Sequence, residues 1–180
     1  MEAYCHLTVS SLRRRTMRLS ISRTSRFVAL VVCALLLAVP RQSGAQLADT
    51  KALTVAAVKT ILATAEAMAK QNSWNVSIAV VDAGGDLVGF LKLDGASVGT
   101  VQIAQGKART SARFGRPTKV YADRVLSDTL TFLSVDGLVA LQGGLPIVVG
   151  GRVIGAVGVS GATSAQDEQV AAAAIATIKP

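Results

Sequence analysis

One histidine and two cysteines are all that this chain of 180 residues has of the side chains most used for nucleophilic and zinc chemistry. All three, His6, Cys5 and Cys33, stand near the front. A product from which that front is removed has no disulfide, thiol or imidazole. Ser-His-Asp and Cys-His catalysis, and zinc sites built on Cys and His, are then excluded within one chain. Stability must come from the packed core alone. Aromatic residues are equally scarce. Beyond the front there are only Trp74, Phe90, Phe114, Tyr121 and Phe132, scattered and not interleaved with a basic stripe. That pattern is a poor nucleic-acid surface.

What the front does contain is targeting chemistry. Arg13, Arg14, Arg15, Arg18, Arg23 and Arg26 precede an apolar run from Phe27 to Val39 that Pro40 ends, and Ser43-Gly44-Ala45 supplies small residues at a cleavage site. This is the order of a secretory signal peptide. A run of 13 residues is too short to span a bilayer comfortably, so no permanent membrane span is expected. Met17 to Ala45 is itself a signal of ordinary length, and the Arg14-Arg15 pair lies outside it, so no twin-arginine route is read. The division expected is residues 1–45 as a cleaved signal peptide and residues 46–180 as a single domain, periplasmic or secreted.

Cleavage changes the charge. The whole chain is +8, but seven of its 19 Lys and Arg and one of its 11 Asp and Glu precede residue 46. The remainder is close to neutral, at +2, so the high overall pI is a property of the leader and not a nucleic-acid footprint.

Val58, Ile61, Leu62, Ala65, Met68 and Ala69 recur at helical spacing after Thr54, a suitable N-cap. Asn75 to Val81 and Leu87 to Leu93 read as strands joined by the turn residues Asp82 to Asp86. Ser97 to Phe114 reads as a small-residue helix with a basic later half, stopped by Pro117, after which Thr118 is placed to cap a short helix. Leu126 to Leu141 reads as irregular. Leu145 to Val159 is a hairpin, since Gly150-Gly151 supplies two residues able to take positive φ. Ser164-Ala165-Gln166-Asp167 reads as an acidic variant of the capping box, opening a last helix from Ala165 to Ile178.

This order has no regular βαβ alternation and implies an α+β domain, a mainly antiparallel β-sheet flanked by helices. The strands are apolar at nearly every position, so both faces should be covered. Three long helices in one chain leave that cover incomplete on this reading, and a homo-oligomer is expected. The loop at Ser160-Gly161 followed by a helix start forms an environment suited to an anion. Lys107 adds a full charge, while Asp167 and Glu168 either compete with an anion or orient Lys107 as an ion pair.

VVDAGGDLVGFLKLDGA (Val80 to Ala96), Lys107-Ala108 within KARTSARFGRPT, and GGLPI…GGRVIGAVGVSGATSAQDEQVA (Gly143 to Ala171) resemble the GlcG/HbpS-like haem-binding family, to which the C-terminal domains of corrinoid adenosyltransferases also belong. The resemblance covers nearly all of the chain after the leader. It implies a loosely profilin-like fold, assembly into homo-oligomers, haem as cofactor, and a redox or haem-sensing accessory role. Some members are thought to use a histidine on haem, and none stands beyond residue 45. The possible iron ligands left are Tyr121, Met68, lysines, carboxylates and hydroxyls, with Tyr121 the most usual type. Arg113 and Arg116 stand near Tyr121 in sequence and suit propionates.

Two functions follow. The first is an exported, oligomeric haem-binding protein using Tyr121, Arg113 and Arg116. The second is a binding protein or enzyme for a small carboxylated metabolite, with Ser160, Gly161, Lys107 and Asp167 around the anion, and Asp82, Asp94, Asp167 or Glu168 as proton carriers. A purely structural role for the same glycine-bounded strands is the third possibility. Neither catalytic residues nor metal ligands are fixed by the sequence.

Overall fold

The computed structural model describes residues 50–178; the leader, and with it the expected cleavage site, lies outside them. The elements run α1 (Val55–Gln71), β1 (Ser77–Asp82), β2 (Leu87–Lys92), α2 (Thr100–Phe114), α3 (Lys119–Leu126), a 3-10 turn (Leu130–Ser134), β3 (Gly144–Val149), β4 (Arg152–Ser160) and α4 (Ser164–Ile175). The four strands form one antiparallel sheet in the order β2-β1-β4-β3. This is the α+β arrangement expected from the element order.

The sheet separates two unlike cores. On one face Ile78, Val80, Val157 and Val159 meet Val58, Ile61, Ala65 and Ala69 of α1 and Val170, Ala171 and Ala174 of α4. On the other, Ala79, Val81 and Ala156 meet Ala104, Ala108 and Ala112 of α2. Alternate residues along β1 thus point to opposite faces and are buried on both. A single chain therefore covers both faces of the central strands β1 and β4: α2 suffices for one because its contact residues are alanines, and α1 and α4 share the other. The apolar strands do not by themselves call for a second copy.

The α2 face is unusually close. A β-carbon at Gly158 would run into the backbone of Ala104 and Ala108. Only a strand position without a side chain admits the helix at this distance.

Local signals mostly act as expected. Thr54 caps α1 by accepting from the Ala57 amide. Gly150 and Gly151 turn the second hairpin with φ of 59° and 77°. Gly115 closes α2 in the left-handed conformation. Two signals act differently. The capping box of α4 is formed by Thr163 and Gln166, one residue earlier than the Ser164–Asp167 reading. Thr118 precedes α3 but does not cap it: its hydroxyl accepts from the Gly144 amide, and its own amide donates to the Gly144 carbonyl. It joins α3 to the sheet instead.

Candidate functional site

The one-residue shift of the α4 cap leaves Asp167 free of capping and turns it inward. Its Oδ2 receives a hydrogen bond from Lys107 Nζ at 2.8 Å, and its Oδ1 accepts from the Ala162 amide. Lys107 also donates to the Val159 carbonyl at 2.8 Å. The side chains of Lys107 and Asp167 are 2% and 3% exposed. The buried ion pair thereby joins α2 to the end of β4 and the first turn of α4, more than fifty residues further along the chain.

Glycine makes room for it. A β-carbon at Gly143, whose φ is +121°, would lie 2.8 Å from the Asp167 β-carbon and 2.9 Å from Lys107 Nζ. At Gly144 it would stand 2.5 Å from the Lys107 carbonyl. Gly161 passes equally close to the backbone of Asn75 and Val76. Ser160 is buried at the strand end, beside Val159. Burial pushes the Asp167 carboxyl above its ordinary range; the hydrogen bond and charge of Lys107 act against that shift without cancelling it.

The sequence places Lys107, Ser160, Gly161 and Asp167 together, and the structure does the same. What they form is a closed junction. The Lys107 charge is taken up by Asp167 and a carbonyl, and neither group presents a free face to solvent. Glu168, beside them on α4, is half-buried, and its Oε2 is buried with no hydrogen-bond partner among the described residues.

Tyr121 belongs to a different region. It is 5% exposed, with its ring between Phe114 and Phe132 at centroid distances of 5.5 Å to each. The Arg124 guanidinium stands 5.2 Å over the Phe132 ring. Leu126, Leu130 and Leu133, from the end of α3 and the 3-10 turn, are exposed. Here an aromatic cluster, an apolar rim and a cation adjoin. Arg116 is exposed, and its carbonyl accepts from the Ser111 hydroxyl. Arg113 points elsewhere: its Nε donates to the Gly84 carbonyl of the β1–β2 turn. Asp82 spends one carboxylate oxygen on the Gly84 and Asp86 amides of that turn. Asp94 borders a separate cleft with Glu66, Lys70 and Trp74. Met68 is partly buried against the α1–α4 core.

Sequence reasoning did not find the Phe114–Tyr121–Phe132 cluster, because Phe132 lies in the stretch with no readable periodicity. Nor did it find that Arg109 accompanies Arg113. Among the described residues no three His, Cys, Asp or Glu side chains converge as a metal site, and no helix is long and apolar enough to cross a membrane.

Residues 53–176 match the model of the family described as "Haem degrading protein HbpS-like". Protein GlcG of Escherichia coli K12 is 44% identical over 100 residues, covering 56% of this chain and 75% of GlcG. The crystal structure of HbpS superposes with a TM-score of 0.71 at 32% identity, covering 76% of this chain and 97% of that one. The structure titled "PduOC:Heme Complex" superposes with a TM-score of 0.66 at 27% identity, covering 72% and 96% of the two chains.

Proposed function

The chain belongs to the HbpS-like family, and from that membership we propose that it is an exported haem-binding protein. The observation that carries the reading is the likeness, over most of the domain, to a relative whose structure is a haem complex. Export rests on the arginine-rich leader and the Ser43-Gly44-Ala45 cleavage signal, with the mature protein periplasmic or secreted.

The α2–α3 corner carries the chemistry that the group needs, and Tyr121, 5% exposed between Phe114 and Phe132, would have to be uncovered to reach it. Haem requires an apolar surface, an axial donor and cations for its propionates. Phe114, Tyr121 and Phe132 with the exposed leucines provide the first. Tyr121 provides a phenol oxygen, the usual choice where no His or Cys is present. Arg116, exposed at this corner, provides a bidentate partner for a carboxylate, while Arg113 is directed to the Gly84 carbonyl of the β1–β2 turn. Bound haem would supply redox and oxygen chemistry. The protein's own residues would pack against the group, set the charge around it and limit its contact with water.

A homo-oligomer is part of the reading: Leu126, Leu130 and Leu133 are exposed close together in the chain, and a partner copy would cover those that haem leaves open. A redox or haem-sensing accessory role would rest on the bound haem itself, since no Cys or His stands beyond residue 45 to carry it. Addition of haemin to the mature protein should give a saturable shift of the Soret band at micromolar concentration. No shift would remove the reading.

A further inference from the structure

The two arginines on the exposed flank of α2 are held in a way that neither helix propensity nor the haem reading requires. Arg109 Nε donates to the Gly85 carbonyl at 3.3 Å, and Arg113 Nε donates to the Gly84 carbonyl at 3.2 Å. Both stems lie across Gly85, which is buried beneath them. A β-carbon there would be 3.0 Å from Arg109 Cγ and 3.1 Å from Arg113 Nε, and the φ of +90° also demands glycine. Each guanidinium is thus fixed by one N–H, while its outward nitrogens remain available.

No carboxylate neutralises them. Among the described residues the ion pairs are Lys70–Glu66, Lys107–Asp167 and Lys119–Asp123, and none involves an arginine. Asp82 and Asp86 belong to the same turn but lie beyond ion-pair distance of either guanidinium. Asp82 is engaged with backbone amides. Two like charges one helical turn apart repel each other, and an anion bridging them turns that repulsion into attraction.

The neighbouring residue, Ala83, lines a cleft of about 270 Å³ between the β1–β2 turn and the β3–β4 hairpin. Lys51 and Arg152 line the same cleft, and no acidic residue does. Two independently built features therefore place cations at one end of the sheet: the arginine pair over Gly85, and the cleft beside Ala83.

We infer that this end of the sheet is a binding site for a small polyanion, a compound carrying two or more carboxylate or phosphate groups, held by Arg109, Arg113 and Arg152. The site is separate from the closed Lys107–Asp167 junction. It does not depend on haem being bound.

The test uses haem-free mature protein, with pyrophosphate and citrate as separate probes. Their effect on the thermal midpoint and on calorimetric binding is compared with sodium chloride at equal ionic strength. Specific stabilisation and saturable binding are expected from at least one probe, and which one distinguishes phosphate from carboxylate recognition. Arg113→Gln should weaken binding about tenfold, the loss of a charge-assisted contact. Because that change also loosens the β1–β2 turn, Arg152→Gln is the second variant. Arg152 makes no side-chain hydrogen bond to the turn among the described residues, and its loss should weaken binding several-fold. Lys59→Gln, an equal charge change on the opposite face of the sheet, should leave binding unaltered. Stabilisation no greater than that by chloride, or an equal loss in Lys59→Gln, would overturn the assignment. Since no haem is present, that failure would leave the haem reading standing.

Discussion

Lys107 Nζ lies 2.8 Å from Asp167 Oδ2 across a span of 60 residues, with both side chains closed off from water. The contact ties the helix on one face of the sheet to the first turn of a helix on the other. The Lys107-Ala108 pair and glycines of the Gly143 to Ala171 stretch converge on it. Ala108 packs at Gly158, Gly143 and Gly144 clear the space over the ion pair, and Gly161 lets the chain leave β4 toward Asp167. These motifs describe how the fold is closed.

Removing the cation alone should be costly. Lys107→Met leaves a carboxylate buried without a counter-charge, and the expected loss is about 3–5 kcal/mol of unfolding free energy. Lys107→Met/Asp167→Asn should recover most of it, because the Asn oxygen still accepts from the Ala162 amide while the stranded charge is gone. Denaturant unfolding of the set measures this. A double variant no more stable than the single one would mean that the pair is not the source of the loss.

The cost should depend on pH with a definite sign. Burial raises the folded-state pKa of Asp167 above its ordinary 3.8. Between those two values the native state holds a proton that the unfolded chain has released, so the contribution of Asp167 to stability falls as pH rises through that window. Lys107 opposes the rise, so Lys107→Met moves the folded-state value higher still. The deficit of Lys107→Met relative to wild type should therefore be greatest near neutral pH and shrink on acidification. A deficit constant from pH 7 to pH 4 would contradict this.

Gly158→Ala should lower stability by roughly 1–3 kcal/mol, because α2 must back away from the sheet to admit one methyl group. Gly99→Ala is the matched comparison. Its φ is −64° and its added carbon meets nothing within 4 Å, so little change is expected. Equal effects at the two positions would show that the close approach of α2 is not a constraint.

N-terminal sequencing of the exported form should begin at Gln46, as the small residues Ser43 and Ala45 direct. Recovery of an intact chain from the membrane fraction would reverse the export assignment.

Much of the fold was legible because it rests on short-range patterns: the helical spacing after Thr54, the Gly150-Gly151 turn, and the apolar runs on either side of it. The cap of α4 was displaced by one residue because Thr163 and Ser164 are chemically alike, and only the inward turn of Asp167 separates the two registers. Thr118 was misread for a tertiary reason, since its hydroxyl serves Gly144 rather than its own helix. The placement of Lys107 beside Ser160 was legible. Its closure was not, since burial depends on Gly143 and on how near α2 approaches Gly158. The aromatic cluster around Tyr121 arises only when a 3-10 turn brings Phe132 back onto α3, and no local periodicity announces such a turn.

The central claim is haem binding at the α2–α3 corner, and the most direct measurement is haemin titration of the mature protein and Tyr121→Phe, followed in the Soret and charge-transfer bands. Tyr121→Phe keeps the ring that packs on Phe114 and Phe132 and removes only the phenol oxygen. The wild type should bind with a phenolate charge-transfer band, and Tyr121→Phe should lose that band and bind at least tenfold more weakly. Wild-type protein that leaves the haemin spectrum unchanged at micromolar concentrations would contradict the account.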